Sequence, residues 1–339
     1  MKTRNVITLV MIVIAIVFLF FYPSKNKFTT IKFGGTVQGT FYTITYLSPD
    51  DVNYQAEIAQ ILKDFEHSMS VYDSASTISR INRNDSAVHT DSIFNTIFRK
   101  AQEISKITGG AFDITVGPLC QLWGFYNNER IEVTQQMIDE ILLYTGYQKV
   151  RLENNTILKD DERITLDANA IAKGFSCDLV GNFLEEKGIK NYLVEIGGEI
   201  KTKGNNPHKK AWAVGINKAI DDKTGEFSEN QQIIRIRNAG LATSGNYRKF
   251  YYLNGKKYVH TINPVTGYPV EHNLLSATII APDCITADAY ATACMVLGLE
   301  KSMELIESLS DIEAYFIYQN NNGKNAVSYT KGFEKYLEK

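Results

Sequence analysis

Apolar residues recur at helical spacing over 54–65, where Ile58, Ile61, Leu62 and Phe65 share a face, and over 92–108, where Ile93, Ile97, Ala101 and Ile104 do. The second of these predicted helices stops at Gly109-Gly110. The same periodicity predicts helices over 134–144, 169–187, 285–297 and 301–308, and a short helical start at Ser76. Alternating or β-branched runs predict strands over 36–47, 149–152, 163–166, 192–196, 211–216, 232–236, 249–253, 257–262, 276–281, 314–318 and 326–329. Tight turns such as Asn254-Gly255 join neighbouring strands, which favours antiparallel pairing. The fold class expected is therefore α+β, a largely antiparallel or mixed sheet flanked by helices, rather than a doubly wound parallel sheet. No linker interrupts the body of the chain, and no internal repeat or low-complexity tract is present.

The start of the chain does not fit this pattern. Lys2 and Arg4 precede a run of 17 residues from Val6 to Tyr22, apolar but for Thr8, at the short end of what crosses a bilayer. A cleaved signal peptide would end its apolar run at small residues, whereas this one ends in Phe20-Phe21-Tyr22-Pro23. No Cys precedes Cys120, so an N-terminal lipidated Cys is excluded. Residues 1–22 are expected to be an uncleaved signal anchor, residues 23–32 a polar tether and residues 33–339 one exported domain on the outer side of the cell inner membrane.

With 339 residues and a formal net charge of −2, the chain can bury a sizeable core and presents no basic run of the kind that binds nucleic acid. The four cysteines (Cys120, Cys177, Cys284 and Cys294) form no CxxC pair and have no clustered His, so thiolate metal binding is not expected. Buried free thiols are.

Four stretches could carry chemistry. Asp288 and Thr292 lie four residues apart on a predicted helix among alanines. A carboxylate there needs a cation or donors, and carboxylate plus hydroxyl is an oxygen set suited to a hard ion such as Mg²⁺. On pattern alone, a solvent-facing Asp explains it equally well. His260 ends a strand before the Asn263-Pro264 and Thr266-Gly267 turn, where a His serves either as general base or as a structural hydrogen-bonder. Asp167 to Gly174 opens a predicted helix, with Asp167 or Asn169 as cap and Lys173 adding positive charge. It reads as a phosphate-binding helix start or as an ordinary capped helix. The glycines before Ala111-Phe112-Asp113 allow the close approach of a planar ligand, or simply stop a helix. Gly197-Gly198-Glu199 and Thr243-Ser244-Gly245-Asn246 read as strand-end turns, each of which could touch phosphate or could just be a turn. No Walker or Rossmann phosphate loop occurs.

In this order, Gly39-Thr40, Met69-Ser70-Val71-Tyr72, Gly110-Ala111-Phe112-Asp113, Asp167 to Gly174, Gly197-Gly198-Glu199, Thr243-Ser244-Gly245, His260 to Gly267 and Ala287 to Ala293 resemble the ApbE family of FAD:protein FMN transferases. The resemblance runs from about Gln38 to Gly298. It implies an ApbE-like fold with one site for FAD, contacted at Gln38, Tyr72, Ala111, Phe112, Asp113, Asp167, Lys173 and Ile262. It also implies Mg²⁺ held by the Ala170 carbonyl, Asp288 and Thr292, with His260 as base. The implied reaction moves FMN from FAD to a Ser or Thr hydroxyl of an acceptor protein and releases AMP. Family acceptors carry an Asp-x-x-Ser/Thr-Gly-Ala-Ser/Thr stretch, and many are subunits of membrane redox complexes. The chain departs from the family at Gln38, often Met, and at Asn246, often Asp. Rival readings are Mg²⁺-dependent hydrolysis of FAD to FMN and AMP, a non-enzymatic flavin-binding protein and an exported scaffold without a ligand.

Overall fold

A computed structural model of the chain describes residues 28–126, 130–221, 229–247 and 249–338. The expected anchor at residues 1–22 lies outside them. Among the described residues no helix is long and apolar enough to cross a membrane.

The chain opens with a hairpin, β1 (Thr29–Val37) and β2 (Thr40–Ser48), turning at Gln38-Gly39. The sequence pattern predicted only one strand here. Thr29 to Lys32, expected in the tether, are instead the first residues of β1. Two positive φ angles, +52° at Gln38 and +68° at Gly39, make the turn. Three helices follow: α1 (Gln55–Met69), α2 (Thr77–Asn82) and α3 (Ser92–Ile107). Ser76 and Asp91 cap α2 and α3 by accepting from Ser79 N and Phe94 N. The buried faces of α1 (Ile58, Leu62, Phe65) and α3 (Phe94, Ile97, Phe98, Ala101, Ile104) keep the spacing read from the sequence.

Two short helices, α4 (Gly117–Leu122) and α5 (Gln135–Leu142), and a small hairpin, β3 (Val150–Glu153) with β4 (Thr156–Lys159), lead to α6 (Ala172–Glu186). Residues 163–166, predicted as a strand, form an irregular connection. Ile164 and Leu166 are buried there, and burial without pairing produced the strand-like pattern. The remaining elements are β5 (Tyr192–Ile196), β6 (Glu199–Lys203), β7 (Trp212–Asn217), β8 (Asn230–Ile236), β9 (Ala239–Gly245), β10 (Phe250–Leu253), β11 (Lys256–Val259), β12 (Leu274–Ala281), α7 (Cys284–Leu297), α8 (Leu299–Glu307), β13 (Glu313–Gln319) and β14 (Asn325–Tyr329).

The main sheet has eight strands in the order β1-β2-β5-β6-β9-β12-β13-β14, with every neighbouring pair antiparallel. The α+β expectation holds. Two strands near its centre, β6 and β9, were not predicted as strands; only their ends, Glu199 and Thr243 to Gly245, were read, as parts of strand-end turns. One is polar (Glu199, Lys201, Lys203) and the other is rich in Ala and Gly, so neither shows a β-branched run. Helices α1, α3, α6 and α7 bury one side of the sheet in two apolar clusters. The ribbon β7–β8 and residues 331–336 cover the other around Ile234, Tyr315, Ile317 and Phe333. Helix α7 is buried on nearly all sides, which explains its lack of a polar stripe.

Candidate functional site

Helices α6 and α7 cross where Gly174 faces Cys284 and Asp288. A Cβ on Gly174 would lie 2.3 Å from the Cys284 carbonyl oxygen and 2.7 Å from Asp288 Cβ, so only glycine permits this approach. The start of α7 is tied down by carboxylates. Asp283 accepts from Thr286 N, and Asp178 accepts from Cys284 N at 3.0 Å and Ile285 N at 2.8 Å. Asp178 is in turn paired with Lys201 at 3.1 Å.

The sequence placed the start of α6 at Asn169, capped by Asp167 or Asn169. The helix begins instead at Ala172, with Ile171 in the N-cap position and no side-chain cap. Asp167 Oδ1 accepts from Asn169 N at 2.8 Å, closing a turn that delays the helix. The Gly174 N–H donates across the helix crossing to Asp288 Oδ2 at 2.9 Å. In a regular helix start that N–H would reach the Ala170 carbonyl. No backbone donor among the described residues meets that carbonyl. Asp288 thus sits at the positive end of α6 and frees a backbone oxygen beside itself.

Thr292 lies one turn along α7 from Asp288, and its hydroxyl shares a 3.2 Å hydrogen bond with Ser244 Oγ at the end of β9. On the other side, Lys173 Nζ donates to Glu199 Oε1, at the first residue of β6. Glu199 Oε2 is buried without a hydrogen-bond partner. Burial acts to lower the Lys173 ammonium's pKa, but the carboxylates of Glu199 and Asp288 outweigh it and raise it. Burial and the neighbouring Glu199 push the Asp288 carboxyl up to about 7, against the pull of Lys173 and the Gly174 N–H.

A divalent cation suits these groups. The donors are all oxygen: a buried carboxylate, a hydroxyl and a carbonyl freed from its helix. Among the described residues no three His, Cys, Asp or Glu side chains gather as a metal cage. The expected set uses only one carboxylate.

His260 is half-buried at the end of the β10–β11 hairpin. The Lys249 carbonyl accepts from both its backbone N–H and its ring Nδ1, each at 3.1 Å. With Nδ1 committed as donor, Nε2 carries the lone pair. Burial, with the positive charges of Lys249 and Lys173, pushes the ring down to about 4. The edge of Phe125 meets the imidazole, with centroids 6.5 Å apart.

The remaining predicted contacts surround this centre. Asp167 Oδ2 accepts from the Tyr126 hydroxyl, and burial raises its pKa against that hydrogen bond. Burial raises the Tyr126 hydroxyl's pKa, and the charge of Asp167 adds to it. Tyr72 is 81% exposed. Gln38 N donates to Glu66 Oε1 at 2.7 Å, and Gln38 Nε2 is buried without a partner. Ile262 is buried and bridges to Pro269.

Ala111, Phe112 and Asp113 behave differently. All three are buried, and Asp113 accepts from Thr115 N, Thr115 Oγ1 and Tyr147 N. Its carboxylate is occupied in holding the loop. Gly110 meanwhile abuts Val265 of the turn after His260, bringing two motifs together. The sequence reading missed Tyr126 as a partner of Asp167, and it gave Glu199 and Ser244 no individual role beyond turns that could touch phosphate. Glu199 could have been found from its place beside Gly197-Gly198; nothing local marks Tyr126. All four cysteines are free thiols, as expected, and three of them are buried.

The family model described as the ApbE family matches residues 38–316. A protein of Haemophilus influenzae named FAD:protein FMN transferase is 36% identical over 328 residues, covering 93% of each chain. One of Escherichia coli K12 with the same name is 33% identical, covering 84% of this chain and 83% of its own. The solved structure of flavin transferase ApbE from Vibrio cholerae superposes with a TM-score of 0.81 at 33% identity, over 91% of this chain and all of that one. The Pseudomonas stutzeri flavinyl transferase ApbE gives 0.79 at 30% identity. The order of the motifs, the eight-stranded sheet and these matches along most of the chain have one reading: the protein belongs to the ApbE family.

Proposed function

We propose that this protein is an FAD:protein FMN transferase, attaching FMN from FAD to a Ser or Thr hydroxyl of an acceptor protein and releasing AMP. The relatives carry that name. The observation that supports the reading most is His260. Its Nδ1 is tied to the Lys249 carbonyl, and its low pKa keeps Nε2 unprotonated at neutral pH, as a general base requires.

The acceptor hydroxyl gives its proton to His260 Nε2 as its oxygen attacks the FMN phosphorus. The bond from that phosphorus to the bridging oxygen breaks, and AMP departs. Lys173, held by Glu199, offers positive charge to the pyrophosphate. Asp288, Thr292 and the Ala170 carbonyl are the residues that would hold Mg²⁺. When bound, the ion supplies neutralisation of the charge on the pyrophosphate. Asp167 and Tyr126 orient the flavin half, with Tyr72 beside its ring. Ile262 and the loop at Ala111 to Asp113 offer backbone.

In this reading the run from Val6 to Tyr22 anchors the enzyme to the inner membrane with its catalytic domain outside. Its acceptor, carrying the Asp-x-x-Ser/Thr-Gly-Ala-Ser/Thr stretch, then shares the same surface as part of a membrane redox complex. The test is to incubate the purified protein with FAD, Mg²⁺ and such an acceptor domain and record intact masses. A covalent FMN adduct is expected. AMP without an adduct means a hydrolase, and unchanged FAD means a binding protein. Protease accessibility of the domain in spheroplasts tests its location; protection from added protease would refute the exported placement.

A further inference from the structure

The described groups around Asp288 do not balance in hydrogen bonds. The Lys173 ammonium meets the Glu199 carboxylate beside Asp288. Glu199 is 4% exposed. Its Oε1 holds Lys173, but its Oε2 has no donor. A buried acceptor left unpaired costs about 1–3 kcal/mol, more when charged. A carboxylate needed only to fix Lys173 would be expected to satisfy its second oxygen as well.

The backbone around Glu199 is firmly set. Its carbonyl accepts from Cys177 Sγ at 3.3 Å, and Glu199 pairs with Ile196 across the β5–β6 turn. The Gly197 position of that turn lies against Lys173, 3.1 Å from Cδ to where a Cβ would stand. The side chain is therefore presented to the same space as Lys173 by a rigid turn.

We propose that Glu199 is a positioning residue for the divalent cation, its Oε2 receiving a hydrogen bond from a water that the cation holds. Mg²⁺ keeps several of its waters when protein-bound, and a buried carboxylate beyond the direct ligands orients them. The inference rests on the metal set proposed above, Asp288, Thr292 and the Ala170 carbonyl.

The test uses the detergent-solubilised full-length protein without FAD and follows Mn²⁺ binding by electron paramagnetic resonance. Glu199→Gln is expected to weaken Mn²⁺ by roughly 10-fold or more, with the melting temperature of the metal-free protein unchanged or higher. Unchanged Mn²⁺ affinity with a lowered melting temperature would make Glu199 a clamp for Lys173 only and overturn the proposal. Glu199→Asp keeps the charge but shortens the reach, and serves if the Gln variant does not fold; wild-type affinity in it would again overturn the proposal. Asp288→Ala separates the two levels. Loss of Mn²⁺ in that variant upholds the metal set whatever Glu199 does, and retention brings down the set itself.

Discussion

The N–H of Gly174 donates to Asp288 Oδ2 at 2.9 Å, and the Ala170 carbonyl is thereby released from its helix. One contact between two helices thus places a carboxylate beside a backbone oxygen left without a helix partner. Gly174 is essential to it, since a methyl group there would meet the Cys284 carbonyl at 2.3 Å. Gly174→Ala is expected to destabilise the protein by about 1–3 kcal/mol through overpacking and to remove Mg²⁺-dependent activity. Urea unfolding and an FMN-transfer assay read the two effects. Wild-type activity in a variant that melts lower would show that the helix crossing serves stability alone.

Asp288→Ala should have the opposite balance. Its loss lets the Gly174 N–H turn back to the Ala170 carbonyl, so the backbone regains a normal helix start. It also removes a carboxyl that burial and Glu199 had pushed up to about 7. Stability should change by no more than about 1 kcal/mol, while transfer falls to the level seen with excess chelator. The comparison to make is thermal melting and activity of both proteins, each with and without Mg²⁺. Full transfer by the variant would remove Asp288 from the chemistry.

The pH dependence follows from His260. Its folded pKa is near 4, below its ordinary value of 6.5. Between those values the unfolded chain takes up a proton that the folded protein refuses. The contribution of His260 to stability is therefore complete above pH 6.5 and declines as pH falls towards 4. For the same reason, kcat/KM for acceptor should hold down to about pH 5 and then fall, rather than titrate near 6.5. His260→Gln should abolish transfer while FAD still binds. An acid limb at 6.5 would show that the imidazole is more solvated than its surroundings here imply.

The order of motifs in the sequence was enough to expect one flavin site, because each motif is short and local. Helices with a clear apolar face, such as α1 and α3, were legible for the same reason. The central strands β6 and β9 were not, since their neighbours in the sheet supply what their own composition lacks. The start of α6 was misplaced because Asp167 spends its cap on Asn169 N and the true first turn is completed from α7, 114 residues away. Contacts at that separation leave no local trace. The partnership of Tyr126 with Asp167 was hidden in the same way.

That partnership is separable from catalysis. Tyr126 is half-exposed and donates to a carboxylate whose pKa is raised by burial. Tyr126→Phe deprives Asp167 of this donor without opening the core. KM for FAD should rise roughly 5-fold, the loss expected of about one hydrogen bond, with kcat little changed. Steady-state kinetics with FAD varied at saturating acceptor gives both numbers. A fall in kcat alone would place Tyr126 with the acceptor instead of the flavin.

Gln38 allows a prediction in which stability and binding move in opposite directions. Its backbone is fixed at the β1–β2 turn by Glu66, and its Nε2 is buried with no acceptor in the ligand-free protein. An unpaired buried donor destabilises by about 1–3 kcal/mol, and an acceptor on a ligand would relieve it. Gln38→Met substitutes a flexible apolar side chain of similar length, so the ligand-free variant should melt at a higher temperature than wild type. It should also bind FAD more weakly, because the donor proposed to meet FAD is gone. Differential scanning fluorimetry with and without FAD reads both quantities in one experiment. If the variant gains stability and binds FAD as tightly as wild type, Gln38 Nε2 does not meet the dinucleotide.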